Sequence, residues 1–171
     1  MDSLSQSLCL TCGLCCDGTL FSSVQLKSDD ETNSLKAVGT KIYSDNSANM
    51  LKLPCAAHKN GTCTVYANRP QICRTYKCEL LKTFEREEIS REAALRIINK
   101  VVSLKNEVNA LALAASINTQ SKEEVTLLEK RWLRGPSVRA TKQSYANDFL
   151  KFGALQIYLD RFFRKRPASK L

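Results

Sequence analysis

Four cysteines, Cys9, Cys12, Cys15 and Cys16, fall within the eight residues CLTCGLCC, and four more follow as Cys55, Cys63, Cys73 and Cys78. Thiolates so close together repel one another unless a cation neutralises them, so short-spaced clusters of this kind point to metal. In Cys9-x-x-Cys12-x-x-Cys15 each two-residue gap lets a tight turn aim consecutive sulfurs at one centre, as in zinc knuckles and iron–sulfur loops. Gly13 suits a turn that needs positive φ or that exposes N–H groups to sulfur.

An even number of cysteines also permits a disulfide framework. Neighbours Cys15 and Cys16 are poorly placed to bridge each other. The amino-terminal stretch MDSLSQSLCLTC lacks the basic and apolar regions of a secretory signal. With 171 residues, 43% of them hydrophobic, the chain can bury a core without staples. A thiolate site in a reducing compartment is therefore the expectation, and the cytoplasm the expected location.

Eight thiolates suffice for two four-coordinate sites, or for one cluster plus four structural or redox cysteines. Cys15 and Cys16 point in different directions in most backbone conformations, so they serve different sites or one is not a ligand. His58, three residues after Cys55, has a ligand-like spacing, but a lone loop histidine is more often solvated. Arg69, Arg74 and Lys77 either reduce the negative field of a thiolate site and donate to its sulfurs, or form a basic surface. Pro70 marks a turn that returns Cys73 toward Cys63, and Tyr66 and Tyr76 are expected to pack beside the site. The roughly forty residues between the two cysteine groups show no long apolar period and read as short strands and loops with little core of their own.

The order Cys-x-x-Cys-x-x-Cys-Cys, a spacer, Leu53-Pro54-Cys55, Gly61-x-Cys63-x-Val65-Tyr66, Arg69-Pro70-x-x-Cys73-Arg74 and Cys78 resembles the cysteine-cluster family described as zinc- or iron-chelating, often called the YkgJ-type or CxxCxxCC domain. The resemblance covers residues 9 to 81 and all eight cysteines in order. It implies a metal-chelating module holding zinc or iron; the candidate ligands are all eight cysteines, and four of them match the donor count of a 4Fe–4S cluster. Some longer proteins described as flagellin lysine methylases are similar over the same cluster, but nothing outside it here suggests a methyl-donor site.

The elements that must carry these residues divide the chain. The expected class is α+β: a small irregular cysteine-rich metal-binding domain of short strands and loops over residues 1–86, then a mostly helical basic region of about three helices over 87–171. Ile97, Val101, Leu104, Val108 and Leu111 recur at steps of four and three, one stripe of a long helix. Ser121 with Glu124 forms a capping box before Val125 and Leu128, and Gly135-Pro136 supplies a stop. Tyr145, Phe149, Phe152, Leu159 and Phe163 continue the pattern, interrupted by Gln156, until Pro167. These stripes read as core, with a homodimer seam as the alternative.

Residues 1–90 carry ten basic and ten acidic side chains and residues 91–171 sixteen and seven, so the net charge of +9 lies in the second half. Lys130, Arg131, Arg134, Arg139 and Lys142 form one basic group; Arg161, Arg164, Lys165 and Arg166 form another beside Phe162 and Phe163. Such groups suit nucleic acid, an acidic partner or an anionic membrane surface, though no helix-turn-helix, zinc-finger histidine pair or RNP-type motif accompanies them. Ser169-Lys170-Leu171 spells a peroxisomal address only in a eukaryote. No apolar run reaches the ~18 residues that span a membrane. Without a His-x-Glu or His-Glu-x-x-His pattern or a phosphate-cradling glycine loop, a metal-chelating binding module is favoured over an enzyme. The alternatives are an Fe–S or thiol-dependent redox or protein-modifying enzyme, and a zinc-stabilised protein that binds nucleic acid or an acidic partner.

Overall fold

The computed structural model describes residues 3–114 and 142–165. Short antiparallel strands and loops come first and helices follow, so the chain is α+β. Backbone proximity divides it into two compact units, Met1–Lys77 and Cys78–Leu171.

The first unit opens with a helix, α1 (Ser3–Cys12), where turns were expected. The spacer then folds as β1 (Ser23–Gln25), α2 (Asp29–Ala37), β2 (Ile42–Asp45) and β3 (Ala48–Lys52). The three strands form one antiparallel sheet of order β1-β3-β2. Asn46 and Ser47, both at positive φ, make the two-residue turn between β2 and β3, a geometry that matches the twist of the strands it joins. Val24 and Ile42 both pair with Leu51, so the three side chains share one face of the sheet.

Leu53 continues the same face two residues on, and Leu26 and Leu35 complete a buried cluster with Leu51 and Leu53. Phe21, Val24, Ile42, Cys55 and Val65 pack against it. The spacer therefore does have a core, contrary to the sequence expectation. Its strands are too short to show a long period, and the cluster is assembled from three separate segments.

Helix α2 does carry a local signal. Ser28 Oγ accepts the Glu31 amide at 3.3 Å and Glu31 Oε2 accepts the Lys27 amide at 3.1 Å, a variant of the capping box. Three acidic residues lie in its first turn and Lys36 in its last, favourable for the helix dipole. Glu31 Oε1 also accepts the Gln71 amide at 2.7 Å, tying α2 to the start of α3 (Gln71–Thr75). These hydrogen bonds, that from Gln71 foremost, hold the Glu31 carboxyl below the usual range. A depressed carboxyl stabilises above its unfolded pKa of ~4.3, and that contribution fades as the pH falls through the folded value. Glu31→Ala is expected to cost about 1 kcal/mol near neutral pH, the usual worth of a lost cap, and the gap to the parent to close below about pH 4. Paired denaturant titrations at the two pH values check this, and a gap that widens in acid contradicts it.

The second unit contains α4 (Glu79–Glu85), α5 (Arg91–Ala114) and α6 (Lys142–Phe162). Helices α5 and α6 pack together, and Lys151 Nζ reaches Glu107 Oε2 at 3.2 Å between them. On α5 the buried stripe is Ala94, Ile98, Val101, Leu104 and Val108, while the expected Ile97 and Leu111 are only half-buried. On α6 it is Phe152, Leu155 and Leu159, continued by Phe163 just past the helix, whereas Phe149 is 47% exposed. Leu150 and Ile157 are exposed as well.

Gln156, which broke the expected stripe, accepts from Arg164 Nη1 at 2.8 Å, and the same nitrogen meets Asp160 Oδ1 at 2.8 Å. Part of the second basic group is thus neutralised by a side chain of α6, and Arg161 lies 5.3 Å from the Phe162 ring centroid. Helix α6 ends at Phe162, before Pro167. The readings on Ser121, Glu124, Val125, Leu128, Gly135 and Pro136 lie outside the described residues, as do those on Lys130, Arg131, Arg134, Arg139, Arg166, Pro167 and Ser169-Lys170-Leu171. The side chains of Lys142 and Tyr145 also lie outside them. Among the described residues no helix is long and apolar enough to cross a membrane.

Candidate metal centre

All eight cysteines are thiols, none in a disulfide. Cys9 and Cys12 stand one turn apart on α1 and so share a helix face, a geometry that the x-x gap allows as readily as a tight turn. The Gly13 amide donates to Cys9 O at 3.2 Å, and Gly13 itself, at φ 66°, ends the helix in the left-handed conformation. The chain then turns sharply, with the Cys16 and Asp17 amides both donating to Gly13 O at 2.9 and 3.0 Å. Cys15 and Cys16 lie in this turn.

Cys16 is joined to the second cysteine group through the main chain: its carbonyl accepts the Cys55 amide at 2.8 Å. Three residues later the His58 amide donates to Cys55 O at 2.9 Å. Next comes a two-residue hairpin, β4 (His58–Lys59) and β5 (Thr62–Cys63), which places His58 opposite Cys63. Asn60 and Gly61, at φ 50° and 77°, supply the left-handed turn that this hairpin requires. Thr64 fastens the far side, its amide and hydroxyl both donating to Ala57 O at 2.8 and 3.0 Å. After a 3-10 turn at Tyr66–Asn68, Pro70 leads into α3, which carries Cys73.

Four of the thiols lie within electrostatic reach of one another. Burial pushes the Cys16 thiol up to about 12, and the neighbouring Cys73, Cys63 and Cys55, then Asp17, push it the same way. Cys73, although its residue is exposed overall, is pushed up to about 11 by desolvation of its sulfur and then by Cys55 and Cys63, with Arg69 acting against them and Glu31 with them. Cys55 is raised chiefly by burial; the Ala57 amide opposes this, Cys63 adds to it, and the His58 amide opposes it. Cys78 belongs to the second unit, where it precedes α4. No cap hydrogen bond from its side chain is closed; burial raises its thiol, and the Leu81 and Leu80 amides pull it down by less.

Tyr66 sits beside the site as expected. Its ring carries the Arg69 guanidinium at 3.8 Å, and its hydroxyl is buried without a hydrogen-bond partner among the described residues. Burial raises that phenol most, Arg69 lowers it, and Cys9, Cys63 and Cys16 raise it further. Tyr76 packs edge-on against Phe21 with ring centroids 4.9 Å apart. Arg74 is occupied with the main chain, donating to Arg69 O at 2.7 Å and Ala67 O at 3.2 Å, and Arg69 donates to Tyr66 O at 2.7 Å.

His58 is not the solvated loop residue that its isolation suggested. Its Nε2 is buried and has no hydrogen-bond partner among the described residues. A Cβ on Gly13 would stand 2.9 Å from that nitrogen, so the imidazole fills the space the glycine leaves. Sequence reasoning had the elements of this contact, a positive-φ glycine and a Cys-x-x-His step, but nothing that joined them across forty-five residues.

Among the described residues no three His, Cys, Asp or Glu side chains are gathered as a ready-made metal site. Protonated thiols have no electrostatic reason to converge, and they become strong donors only when a cation displaces their protons. The donor set nonetheless fits a thiophilic cation: four neighbouring thiols whose anionic forms would repel one another, three more on an adjoining helix and turn, and an unsatisfied imidazole nitrogen. A family model described as “CxxCxxCC: Putative zinc- or iron-chelating domain” matches residues 8–98, more than half of the chain. No curated protein and no solved structure matches it.

Proposed function

Because the chain belongs to the CxxCxxCC family of zinc- or iron-chelating domains, we propose that it is a metal-binding module in which cysteine thiolates are the ligands and Cys16, Cys55, Cys63 and Cys73 act as one four-thiolate set. The observation that carries this reading is that a 2.8 Å main-chain hydrogen bond joins Cys16 to Cys55 and the hairpin that follows Cys55 carries Cys63; the way these four groups raise one another's thiols agrees with it. Four thiolates match the donor count of one zinc or one cubane cluster. Cys9, Cys12 and Cys15 then form a second group, which assigns the adjacent Cys15 and Cys16 to different sets.

A bound cation would supply the positive charge that lets these thiols ionise. The chain's own groups do the rest. The link from Cys55 N to Cys16 O holds the two cysteine-bearing loops together, and the hairpin fixes Cys63. Arg69, spread over Tyr66, offsets negative charge near Cys73, while the Ala57 and His58 amides favour an anionic Cys55 sulfur. With Cys16 and Cys73 held near 12 and 11, both are protonated at neutral pH, so loading releases protons.

Metal and acid-labile sulfide should be measured per chain after anaerobic purification without added metal. Iron with matching sulfide is expected of a cluster protein and zinc without sulfide of a chelating or structural site. Failure of the reduced chain to retain either metal, even after titration with zinc or ferrous iron, contradicts the proposal.

A further inference from the structure

The chain's single histidine is placed as a ligand would be. We infer that His58, through Nε2, is the nitrogen donor that completes the Cys9, Cys12 and Cys15 group, giving the chain one all-thiolate set and one mixed set of three thiolates and an imidazole. This rests on the chelation reading above and adds a donor of different chemistry.

Three observations converge on it. The first is the orphaned nitrogen: a buried imidazole nitrogen without a partner costs free energy that a hydrogen bond, a water or a cation must offset. The second is its location. The position 2.9 Å from Nε2 and 3.1 Å from Cε1 is where a Gly13 side chain would begin, so the ring lies directly over the residue that follows Cys12. At φ 66° glycine is the residue best suited to that backbone, and its missing Cβ is also what admits the ring.

The third observation is that the main chain of His58 is held at both ends. Its amide is bonded to Cys55 O and it is paired across the hairpin with Cys63, so the imidazole is presented from a fixed base. Donor count favours the first group over the second. The Cys16, Cys55, Cys63 and Cys73 set already offers four sulfurs, whereas Cys9, Cys12 and Cys15 offer three, one short of the usual zinc complement, and neutral imidazole is a common partner for three thiolates.

With only one histidine, a site-specific test is simple. The anaerobically reduced full-length chain, labelled with 15N in histidine alone, is loaded with 113Cd(II) as a spin-active probe for zinc. A one-bond cadmium–nitrogen coupling at Nε2 is expected, together with about two cadmium ions per chain, from four donors per site. His58→Ala should remove the coupling and reduce the cadmium to about one per chain. His58→Cys should restore the second ion without the coupling. Cadmium bound with no coupling in the parent chain overturns the assignment of His58 and leaves thiolate chelation intact. No cadmium bound at all overturns both.

Discussion

Replacing Cys16 by serine is expected to abolish tight metal binding at the four-thiol set while the other set still loads. A serine hydroxyl has nearly the size of a thiol but holds its proton far more firmly, so it is a poor donor to a soft cation. Cys16 is also the member most affected by its neighbours: Cys73, Cys63 and Cys55 all act on it, and its carbonyl anchors Cys55. Losing a partner in the shell outside the ligands typically weakens metal binding by ~10–100-fold, and a lost ligand should exceed that. Structural zinc sites supply roughly 10–16 kcal/mol of folding free energy, so the loss should also appear as a lower melting temperature of the first unit.

Chelator competition and metal analysis on parent and variant measure the effect. Unchanged affinity and stoichiometry would remove Cys16 from the ligand set. The Leu26, Leu35, Leu51 and Leu53 cluster does not include Cys16, so the sheet over β1 to β3 should keep slow amide exchange in the variant.

In the second unit, Phe163→Ala is expected to cost about 3–5 kcal/mol, the range for emptying a fully buried phenylalanine site. Phe163 is 1% exposed and follows directly on α6, with its amide donating to Leu159 O at 2.9 Å. Its own carbonyl accepts the Glu79 amide at 3.3 Å, so the main chain of this residue joins the end of α6 to the start of α4. The main-chain bond survives the substitution, which isolates the packing loss. Denaturant titration followed by helical circular dichroism tests this, and a change under about 1 kcal/mol would mean that the seam collapses to fill the hole. By contrast Phe149→Ala, on an exposed position of the same helix, should change stability by no more than about 0.5 kcal/mol.

The chemistry was the most legible part of this sequence. Thiols at short spacings carry a meaning that hardly depends on the fold, because their mutual repulsion calls for a cation wherever they are brought together. Gly13 at positive φ and the turn at Pro70 were equally local, since each is a backbone preference of one or two residues. The helical character of α5 and α6 was written in their apolar period. Helix α2 had its Ser28–Glu31 cap in plain view but only Thr32 and Leu35 buried, too few for a stripe.

Tertiary structure decided what periodicity leaves open. Ile97 and Ile98 lie about 100° apart on a helix and both are apolar, so only the packing of α5 against α6 settles which one is buried. The same packing turned Phe149 to solvent and brought in Leu155. At the site, the number of cysteines and the expectation of a cation follow from the sequence by itself, because both depend on residue type and short spacing. Which thiols meet, and that His58 rests on Gly13, depends on loops from distant segments being joined by hydrogen bonds such as Cys55 N to Cys16 O. Such contacts arise from folding over tens of residues, a distance at which spacing along the chain no longer reports proximity.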